Sequence, residues 1–208
     1  MTNKVKKILI VVANPLSRHD NRAMTINELC AAFCEGINYS NIEIDYIDLY
    51  KEDFDPVYNP DTKDTQTIEY QIRIRKADMI AIFHPVWWGL MPAILKGFCD
   101  KVFQSGFAYQ YQKGKLIPLL DNKKALVVSI SKESKWKNKL VYGNILELFW
   151  KRTIFQTCGI RSKQITYYNL RKVDDEKISQ WKNEIRTFGE NISLKKTIAE
   201  MIGRLKLS

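Results

Sequence analysis

The sequence predicts an α/β protein built on a doubly wound, five-stranded parallel sheet. Short apolar runs alternate with helical patterns along the chain, several runs have the continuous β-branched character of buried parallel strands, and polar turns follow them. At 208 residues the chain suits one such domain with a full core, which we expect to occupy residues 1–208.

The five predicted strands differ in how deeply they should be buried. Residues 7–13, 79–83 and 123–130 are mostly apolar, as expected of central strands. Residues 41–49 alternate polar and apolar side chains, which indicates a strand at or near a sheet edge. Residues 161–170 form the fifth strand.

Five helices are predicted from periodic apolar positions, over residues 22–36, 62–76, 92–103, 145–157 and 174–192. In the second helix, Ile68, Ile72 and Ile74 are expected to face inward. Residues 193–208 add a C-terminal helical extension with one apolar face. We expect this face to dock on the domain or a partner subunit, which is a commoner use than contact with a membrane surface.

Composition indicates a cytoplasmic globular protein. Apolar residues make up 45% of the chain and charged residues 27%, no apolar run is long enough to span a membrane, and the amino terminus lacks a signal-peptide pattern. The four cysteines form no Cys-x-x-Cys pair and accompany only two histidines, so we expect reduced thiols, with neither zinc nor a disulfide framework.

The net charge of +10 is concentrated in the second half of the chain. Residues 1–100 hold 11 Lys and Arg against 14 Asp and Glu, a net of −3, and residues 101–208 hold 22 against 9, a net of +13. A basic surface suits nucleic acid, an anionic membrane or a phosphorylated small ligand. Because the basic residues are interspersed with other types and no nucleic-acid motif accompanies them, an anionic dinucleotide is favoured and nucleic acid is not expected.

The turn after the first strand is a candidate phosphate site, since a polar turn there leads into a helix amino terminus. It contains neither a Gly-x-Gly-x-x-Gly nor a Walker pattern. Ser17, Arg18 and His19 can donate hydrogen bonds to phosphate, whereas Asp20 suits a helix cap. The alternative for His19 is a solvated surface side chain.

The most distinctive stretch is His84-Pro85-Val86-Trp87-Trp88-Gly89-Leu90-Met91-Pro92. It follows a buried strand, and ligands in open α/β sheets bind beyond the carboxyl ends of parallel strands. The alternative is that Trp87 and Trp88 fill a gap between helix and sheet.

Residues 84–109, HPVWWGLMPAILKGFCDKVFQSGFAY, closely resemble the flavin-contacting signature of the NAD(P)H:quinone oxidoreductases, the DT-diaphorase-like family with a flavodoxin-like fold. The resemblance implies that the loop lines the edge and face of the flavin ring, partly through backbone N–H groups. It also places the first turn at the flavin phosphate, although Asn14 stands where the family usually has His. The residues of these two segments that we assign to the cofactor are Asn14, Ser17, Arg18, His19, Asn21, Ala23, Pro85, Val86, Trp87, Trp88 and Gly89.

The same resemblance assigns roles to residues later in the chain. Tyr109 and Tyr111 would wall the substrate pocket from the partner subunit of a homodimer, the alternative being aromatic packing in a surface strand or turn. Ser131 and Lys132 begin the segment where the family commonly has Thr-Thr-Gly-Gly, and the glycines are missing here. Trp136 and Tyr142 occupy positions that hold a charge-relaying Tyr and His in mammalian members; Tyr142 can donate a hydrogen bond and Trp136 can form a wall.

Four lysines, at positions 132, 135, 137 and 139, surround Trp136. They form either a solvated loop face or a landing site for a dinucleotide phosphate, which would favour NADPH.

The resemblance therefore implies a flavoprotein oxidoreductase that binds FAD or FMN and uses NAD(P)H to reduce quinone-like acceptors by ping-pong hydride transfer. Tyr109, Tyr111 and Tyr142 are the candidate catalytic residues in its pocket. Two alternatives stay open: an electron carrier like flavodoxin, although such carriers are typically acidic, and a regulatory binding module without turnover, which the altered glycine segment would suit.

Overall fold

The computed structural model describes residues 7–15, 24–37, 42–60 and 64–205, with side chains as far as residue 192. The strands within these residues are β1 (Lys7–Val12), β2 (Glu43–Asp48), β3 (Met79–Pro85), β4 (Tyr109–Gln112), β5 (Lys115–Pro118), β6 (Lys124–Ile130) and β7 (Arg161–Tyr167). Five of them form one parallel sheet in the order β2-β1-β3-β6-β7. The predicted doubly wound, five-stranded parallel fold is confirmed.

The helices follow the strands in alternation. They are α1 (Thr25–Ile37), α2 (Thr65–Lys76), α3 (Ala93–Val102), α4 (Lys135–Leu140), α5 (Ile145–Leu148), a π-helix (Phe149–Gln156) and α6 (Asp175–Leu205). Alternate side chains of each central strand point to opposite faces of the sheet. Accordingly α1 and α6 cover one face, and α2, α3 and the π-helix cover the other.

Helices α1 and α6 approach each other closely because glycines lie where they cross. A methyl group on Gly36 would meet the Arg186 carbonyl oxygen at 2.1 Å, and one on Gly189 would meet the Phe33 carbonyl oxygen at 2.7 Å. The rim of this contact carries ion pairs, including Arg186 with Glu35 at 2.5 Å. The two helices thus pack as one layer.

The inward face of α2 differs from the prediction. Ile68 and Ile72 are half exposed, and Ile74 is buried together with Thr67 and Tyr70. Positions 67, 70 and 74 are three and four residues apart, so they share one helix face that is rotated away from Ile68 and Ile72. Tyr70 fixes this rotation, because its ring packs among Phe54 and Phe98.

The predicted helix over residues 145–157 is only briefly an α-helix. After the single turn of α5 the chain widens into the π-helix, in which hydrogen bonds reach from residue i to i+5. The wider turn brings Trp150 and Phe155, five residues apart, onto one side. Their rings stack with centroids 5.4 Å apart, and both are buried.

Two elements were not predicted. The lysine-rich segment after β6 is the short helix α4 rather than a loop, with Ser134 as its N-cap. Residues 109–118 form the antiparallel hairpin of β4 and β5 outside the main sheet.

Helix α6 continues without a break through the start of the predicted C-terminal extension. The side chains that were expected to form its apolar face lie beyond Ile192, outside the described residues, so that face stays a prediction. Among the described residues, no helix has both the length and the apolar composition needed to cross a membrane.

Candidate active site

Backbone hydrogen bonds hold the loops at the carboxyl edge of the sheet in a row. The Ala13 N–H donates to the Phe83 carbonyl at 2.9 Å, and the Val86 N–H donates to the Ile130 carbonyl at 2.8 Å. Ser131 N–H donates in the same way to the carbonyl of Tyr167 at 2.8 Å. Each loop therefore starts level with its neighbour, and the loops form a continuous edge where a ligand binds in this architecture.

The tryptophan loop is a tight two-residue turn. Trp87 and Leu90 exchange backbone hydrogen bonds of 2.8 and 3.0 Å, and Trp88 and Gly89 between them have φ of 50° and 80°. A left-handed conformation is unfavourable for a tryptophan, and it concentrates at functional sites. The turn presents the Trp88 side chain fully to solvent, so Trp88 fills no gap in the core.

This turn also presents backbone donors. The N–H groups of Trp88 and Gly89 donate to no acceptor within the described part of the chain, whereas those of Val86 and Trp87 are used inside the fold. The Val86 N–H joins the loop to β6 through its hydrogen bond to the Ile130 carbonyl, so the donors left for a ligand in this turn are those of Trp88 and Gly89. Two adjacent unengaged donors beside exposed indoles suit a planar ring with carbonyl and ring-nitrogen acceptors, which is the chemistry of a flavin.

Buried His84 supports the start of the turn. Its side chain is fully buried, and Nδ1 lies 2.8 Å from the Pro85 carbonyl oxygen. Burial lowers the pKa of His84 to about 4, which keeps the imidazole neutral at pH 7. Its position in a buried strand next to a proline was visible in the sequence, but no role was assigned to it.

The polar groups of Ser131 form hydrogen bonds within the protein. It is buried, its N–H and carbonyl are bonded to residues 167 and 170, and its hydroxyl accepts a hydrogen bond from the Glu133 N–H at 3.2 Å. Lys132 is exposed next to it. The hydrogen bond to the serine hydroxyl closes this segment into a turn, whereas the glycines usual at this position in the resembling family would leave the turn open.

The two aromatic residues beyond this segment are exposed at the same edge. Trp136 lies on α4 and is 64% exposed. Tyr142 lies against the tryptophan turn, since a methyl group on Gly89 would be 3.8 Å from its ring. The structure thus brings Tyr142, Trp87 and Trp88 together on one surface.

Part of the predicted phosphate turn lies outside the described residues, namely Ser17, Arg18, His19, Asp20, Asn21 and Ala23. Asn14 is described: it is buried, and its Nδ2 donates to Asn27 Oδ1 on α1 at 3.3 Å. Its side chain therefore ties the start of the turn to the helix that follows.

Tyr109 and Tyr111 lie in a different groove. Their rings meet edge to face with centroids 6.0 Å apart, and both line a groove of about 630 Å³ between α3, the hairpin and the π-helix. None of the residues that line this groove belongs to the tryptophan turn or to the segment that carries Tyr142. Within the described part of the chain, this groove is therefore lined by Tyr109 and Tyr111 but not by Tyr142.

Sequence reasoning also missed a pair beside Tyr142. Lys137 Nζ lies 2.8 Å from Glu133 Oε2 and 5.6 Å from the centroid of the Tyr142 ring. The spacing of four residues between Glu133 and Lys137 was the available signal, because it joins charges across one helical turn. The lysine-rich composition of this segment predicts a loop, in which a spacing of four residues does not bring two charges together.

The strand order and the site define a doubly wound α/β protein with an exposed aromatic surface and free backbone donors at the carboxyl edge of its sheet. The family described by the flavodoxin-like fold matches residues 6–188, and the chain belongs to that family.

Known proteins and solved structures resemble most of the chain. An uncharacterized NAD(P)H oxidoreductase of Haemophilus influenzae is 28% identical over 170 residues, covering 76% of this chain and 84% of its own length. An FMN-dependent NADH:quinone oxidoreductase of Clostridium beijerinckii is 27% identical over 202 residues, covering 88% and 100%. The crystal structure of Smu.1420 from Streptococcus mutans superposes with a TM-score of 0.76 at 28% identity, covering 89% and 99%. The resemblance to NAD(P)H:quinone oxidoreductases is confirmed.

Proposed function

We propose that the protein is a flavin-dependent NAD(P)H oxidoreductase that reduces quinone-like acceptors. The observation that carries the proposal is the Trp87–Leu90 turn, in which a strained, exposed tryptophan and two unengaged N–H groups lie at the ligand-binding edge of the sheet. The names of the relatives support the same enzyme class. When bound, the flavin supplies the hydride chemistry, and the protein supplies orientation and electrostatics.

Each part of the edge has a role in this proposal. Pro85, Trp87 and Trp88 form a wall for the ring, and the N–H groups of Trp88 and Gly89 donate to its acceptor atoms. Ser17, Arg18, His19, Asn21 and Ala23 are proposed to hold the phosphate, with Asn14 keeping their turn against α1. The remaining residues proposed to surround the flavin are Val86, Ser131, Lys132 and Trp136.

FMN is the proposed flavin, because the Clostridium beijerinckii relative is FMN-dependent by name. NADPH is the proposed reductant, because Lys132, Lys135 and Lys139 are exposed beside Trp136 and suit an additional phosphate. Four free cysteine thiols support a reducing, cytoplasmic location.

A homodimer is proposed to complete the pocket. Tyr109 and Tyr111 line a groove separate from Tyr142, so they are available to wall the site of a second subunit. A hybrid dimer tests this: one subunit carries Tyr111→Ala and the other Tyr142→Phe. If the walls come from the partner, one of the two sites is intact and activity returns to about half of wild type, since the defects fall together in the other site; if they come from the same chain, both sites stay defective.

The first experiment is the anaerobic visible spectrum of the purified protein supplied with FMN. A flavin band that bleaches with NADPH and returns with a quinone supports the reductase cycle, and parallel initial-rate plots support one pocket used by both substrates in turn. A protein that binds no flavin would contradict the proposal and favour a binding module, for which the self-closed Ser131–Ser134 segment is the supporting observation. Bound flavin that NADPH and NADH both fail to reduce would favour an electron carrier.

A further inference from the structure

Exposed aliphatic side chains cluster next to the tryptophan turn. In the described part of the chain, the large aliphatic residues that are exposed are Val57, Ile68, Ile72, Leu116, Leu140, Val141, Ile145 and Leu148. Half of them lie within residues 140–148. A single exposed aliphatic side chain is ordinary on a protein surface, whereas a cluster indicates a place where an apolar group binds.

Ile145 places this cluster against the proposed flavin site. A methyl group on Gly89 would lie 3.7 Å from Ile145 Cγ2 and 3.8 Å from the ring of Tyr142. The Ile145 side chain therefore borders the turn that carries Trp88 and the unengaged N–H groups. A ligand that lies over this turn has an aliphatic surface directly beside it.

Helix α5 explains why Ile145 is exposed. Leu146 is the residue of this helical turn that is buried in the core, and it fixes the side of the helix that faces inward. Ile145 and Leu148 are three residues apart and both exposed, so they lie together on an outer side of the helix. We call these two side chains the aliphatic strip. It begins beside Gly89 and continues for one turn of α5.

Hydrogen bonds hold the backbone of the strip in one position. Asn138 is buried, and its Nδ2 donates to Asn144 Oδ1 at 2.8 Å, while the Asn144 N–H donates back to the Asn138 carbonyl at 3.0 Å. The Asn144 carbonyl accepts a hydrogen bond from the Leu148 N–H at 3.2 Å. The strip is therefore ordered before a ligand binds, which lowers the entropy cost of binding.

The chemistry of the strip defines what it can bind. Isoleucine and leucine side chains have no hydrogen-bonding group, so their favourable contacts are with hydrocarbon. The ring of a quinone has carbonyl oxygens that accept hydrogen bonds, and it suits the indoles and N–H groups of the turn. The group that suits the strip is a hydrocarbon chain attached to such a ring.

We propose that the aliphatic strip binds the hydrocarbon side chain of the acceptor, and that the protein therefore prefers quinones with an isoprenoid or alkyl tail over quinones without one. This inference rests on the proposed function and names the substrate class of the same site. Ile145 and Leu148 determine specificity in it and take no part in electron transfer.

The test uses two quinones with the same ring. One is 2,3-dimethoxy-5-methyl-1,4-benzoquinone, which has no tail, and the other carries a 3-methylbut-2-enyl tail on that ring. In wild type we expect kcat/KM to be about tenfold higher for the quinone with the tail, because the strip shelters the tail from water. In the double variant I145A/L148A the ratio of the two kcat/KM values should fall to about two.

Ile68 and Ile72 provide a matched control. They are 48% and 47% exposed, against 45% and 44% for Ile145 and Leu148, and they also lie on one side of a helix, α2. The groove that Ile68 lines contains no residue of the tryptophan turn. The double variant I68A/I72A should therefore keep the wild-type ratio. Both double variants remove exposed side chains only, and thermal unfolding should show that each is folded.

Two measurements do not depend on turnover. The dissociation constants of the two quinones for the oxidised protein, followed by tryptophan fluorescence, should differ about tenfold in wild type and about twofold in I145A/L148A. Sedimentation velocity should give the same oligomeric state for wild type and I145A/L148A. A change of oligomeric state in that variant would mean that a second copy of the chain covers the strip, and would overturn the inference.

The outcomes separate this inference from the proposed function. If wild type binds flavin and reduces both quinones without preferring the tail, or if I145A/L148A keeps the preference, the role of the strip is refuted and the proposed function stands. Equal losses with both quinones would also refute it, since they indicate a general defect. If wild type takes up no flavin or oxidises no NAD(P)H with either quinone, both the function and this inference are overturned.

Discussion

The indole N–H of Trp150 donates a hydrogen bond to Nε2 of His84 at 3.3 Å, across the buried interface between the π-helix and β3. Because an indole nitrogen can only donate, Nε2 must be the acceptor, and the imidazole proton is on Nδ1, where it bonds the Pro85 carbonyl. The neutral histidine thus links the stacked Trp150 and Phe155 to Pro85, the last residue of β3 before the tryptophan turn.

The neutral state of His84 makes stability depend on pH. The pKa of this side chain falls from its ordinary 6.5 to about 4 in the folded protein, because burial disfavours the charged ring. Between these values the unfolded chain takes up a proton that the folded chain does not, so stability decreases as pH falls through this window. Urea unfolding should show a loss between pH 7 and 4.5 that is about 2 to 3 kcal/mol larger for wild type than for His84→Gln. An equal loss of stability in both proteins would mean that protonation of His84 does not cause the pH dependence.

Trp88 should be a residue whose replacement stabilises the protein without flavin. It is fully exposed and has φ 50°, so Trp88→Gly removes backbone strain and no core contact. We expect the free energy of unfolding of the apoprotein to rise by about 1 kcal/mol, while the affinity for FMN falls. Calorimetry of the apoprotein and a flavin titration check the two effects.

Gly89→Ala is the opposite change in the same turn. The added methyl would have ordinary contacts of 3.7 Å or more, but φ 80° strains any residue with a side chain. It should destabilise the apoprotein by about 1 kcal/mol. If Trp88→Gly were destabilising as well, the turn would be held by its side chain and not limited by backbone strain.

The contact of α1 with α6 should not tolerate a methyl group. In Gly36→Ala the new carbon would lie 2.1 Å from a backbone carbonyl oxygen, which cannot move without shifting α6. Alanine favours the helix by about 1 kcal/mol, but we expect a net loss of about 2 to 3 kcal/mol because overpacking outweighs it. Thermal unfolding measures the change, and Ser179→Ala at an exposed position of α6 is the control that should be neutral. A stabilised Gly36→Ala protein would contradict this packing.

Asp64 should be a strong stabilising residue at the start of α2. Burial raises the pKa of its carboxyl, but hydrogen bonds from Lys101 and Thr67 outweigh this and bring it to about 2. Asp64 also accepts from the N–H groups of residues 66 and 67, and its partner Lys101 is a buried lysine. We expect Asp64→Ala to lower the free energy of unfolding by about 3 kcal/mol at pH 6, because it removes a helix cap and the counter-charge of a buried ammonium group, which keeps only its hydrogen bond to the Asp55 carbonyl.

Asp100→Ala is the matched control for Asp64→Ala. Asp100 also pairs with a lysine of α3, but both partners are about half exposed, so the cost should stay below about 1 kcal/mol. The stabilisation from Asp64 should be present above its unfolded pKa of 3.8 and be lost as pH falls toward 2. Urea unfolding from pH 6 to 2.5 tests this. A similar loss of free energy of unfolding in Asp64→Ala and Asp100→Ala would show that burial of the lysine partner does not strengthen the Asp64 interaction.

Much of the fold could be predicted because its signals are local. The strands are short apolar runs, and their lengths and order along the chain give a parallel sheet with helices on both faces. The edge position of β2 follows from its alternating pattern, and the structure confirms it. The prediction of which face of α2 is buried was wrong. Apolar periodicity alone favours the isoleucines over Tyr70 as buried residues, and only the packing of Tyr70 against Phe54 and Phe98 decides between them.

The candidate site divides along the same line. The sequence by itself determined that an aromatic loop follows one buried strand and that a polar turn follows another buried strand. It also determined that the aromatic loop and the helix after it resemble a flavin site. These facts depend only on residues that are neighbours along the chain. Only the tertiary structure showed that Trp88 is exposed and has a left-handed backbone conformation. It also showed that the Val86 N–H is hydrogen-bonded to β6 and that the Lys137 ammonium lies over the Tyr142 ring. Those relationships join residues from different elements, and a hydrogen bond or ring contact between them exists only once the sheet has brought their loops to one edge.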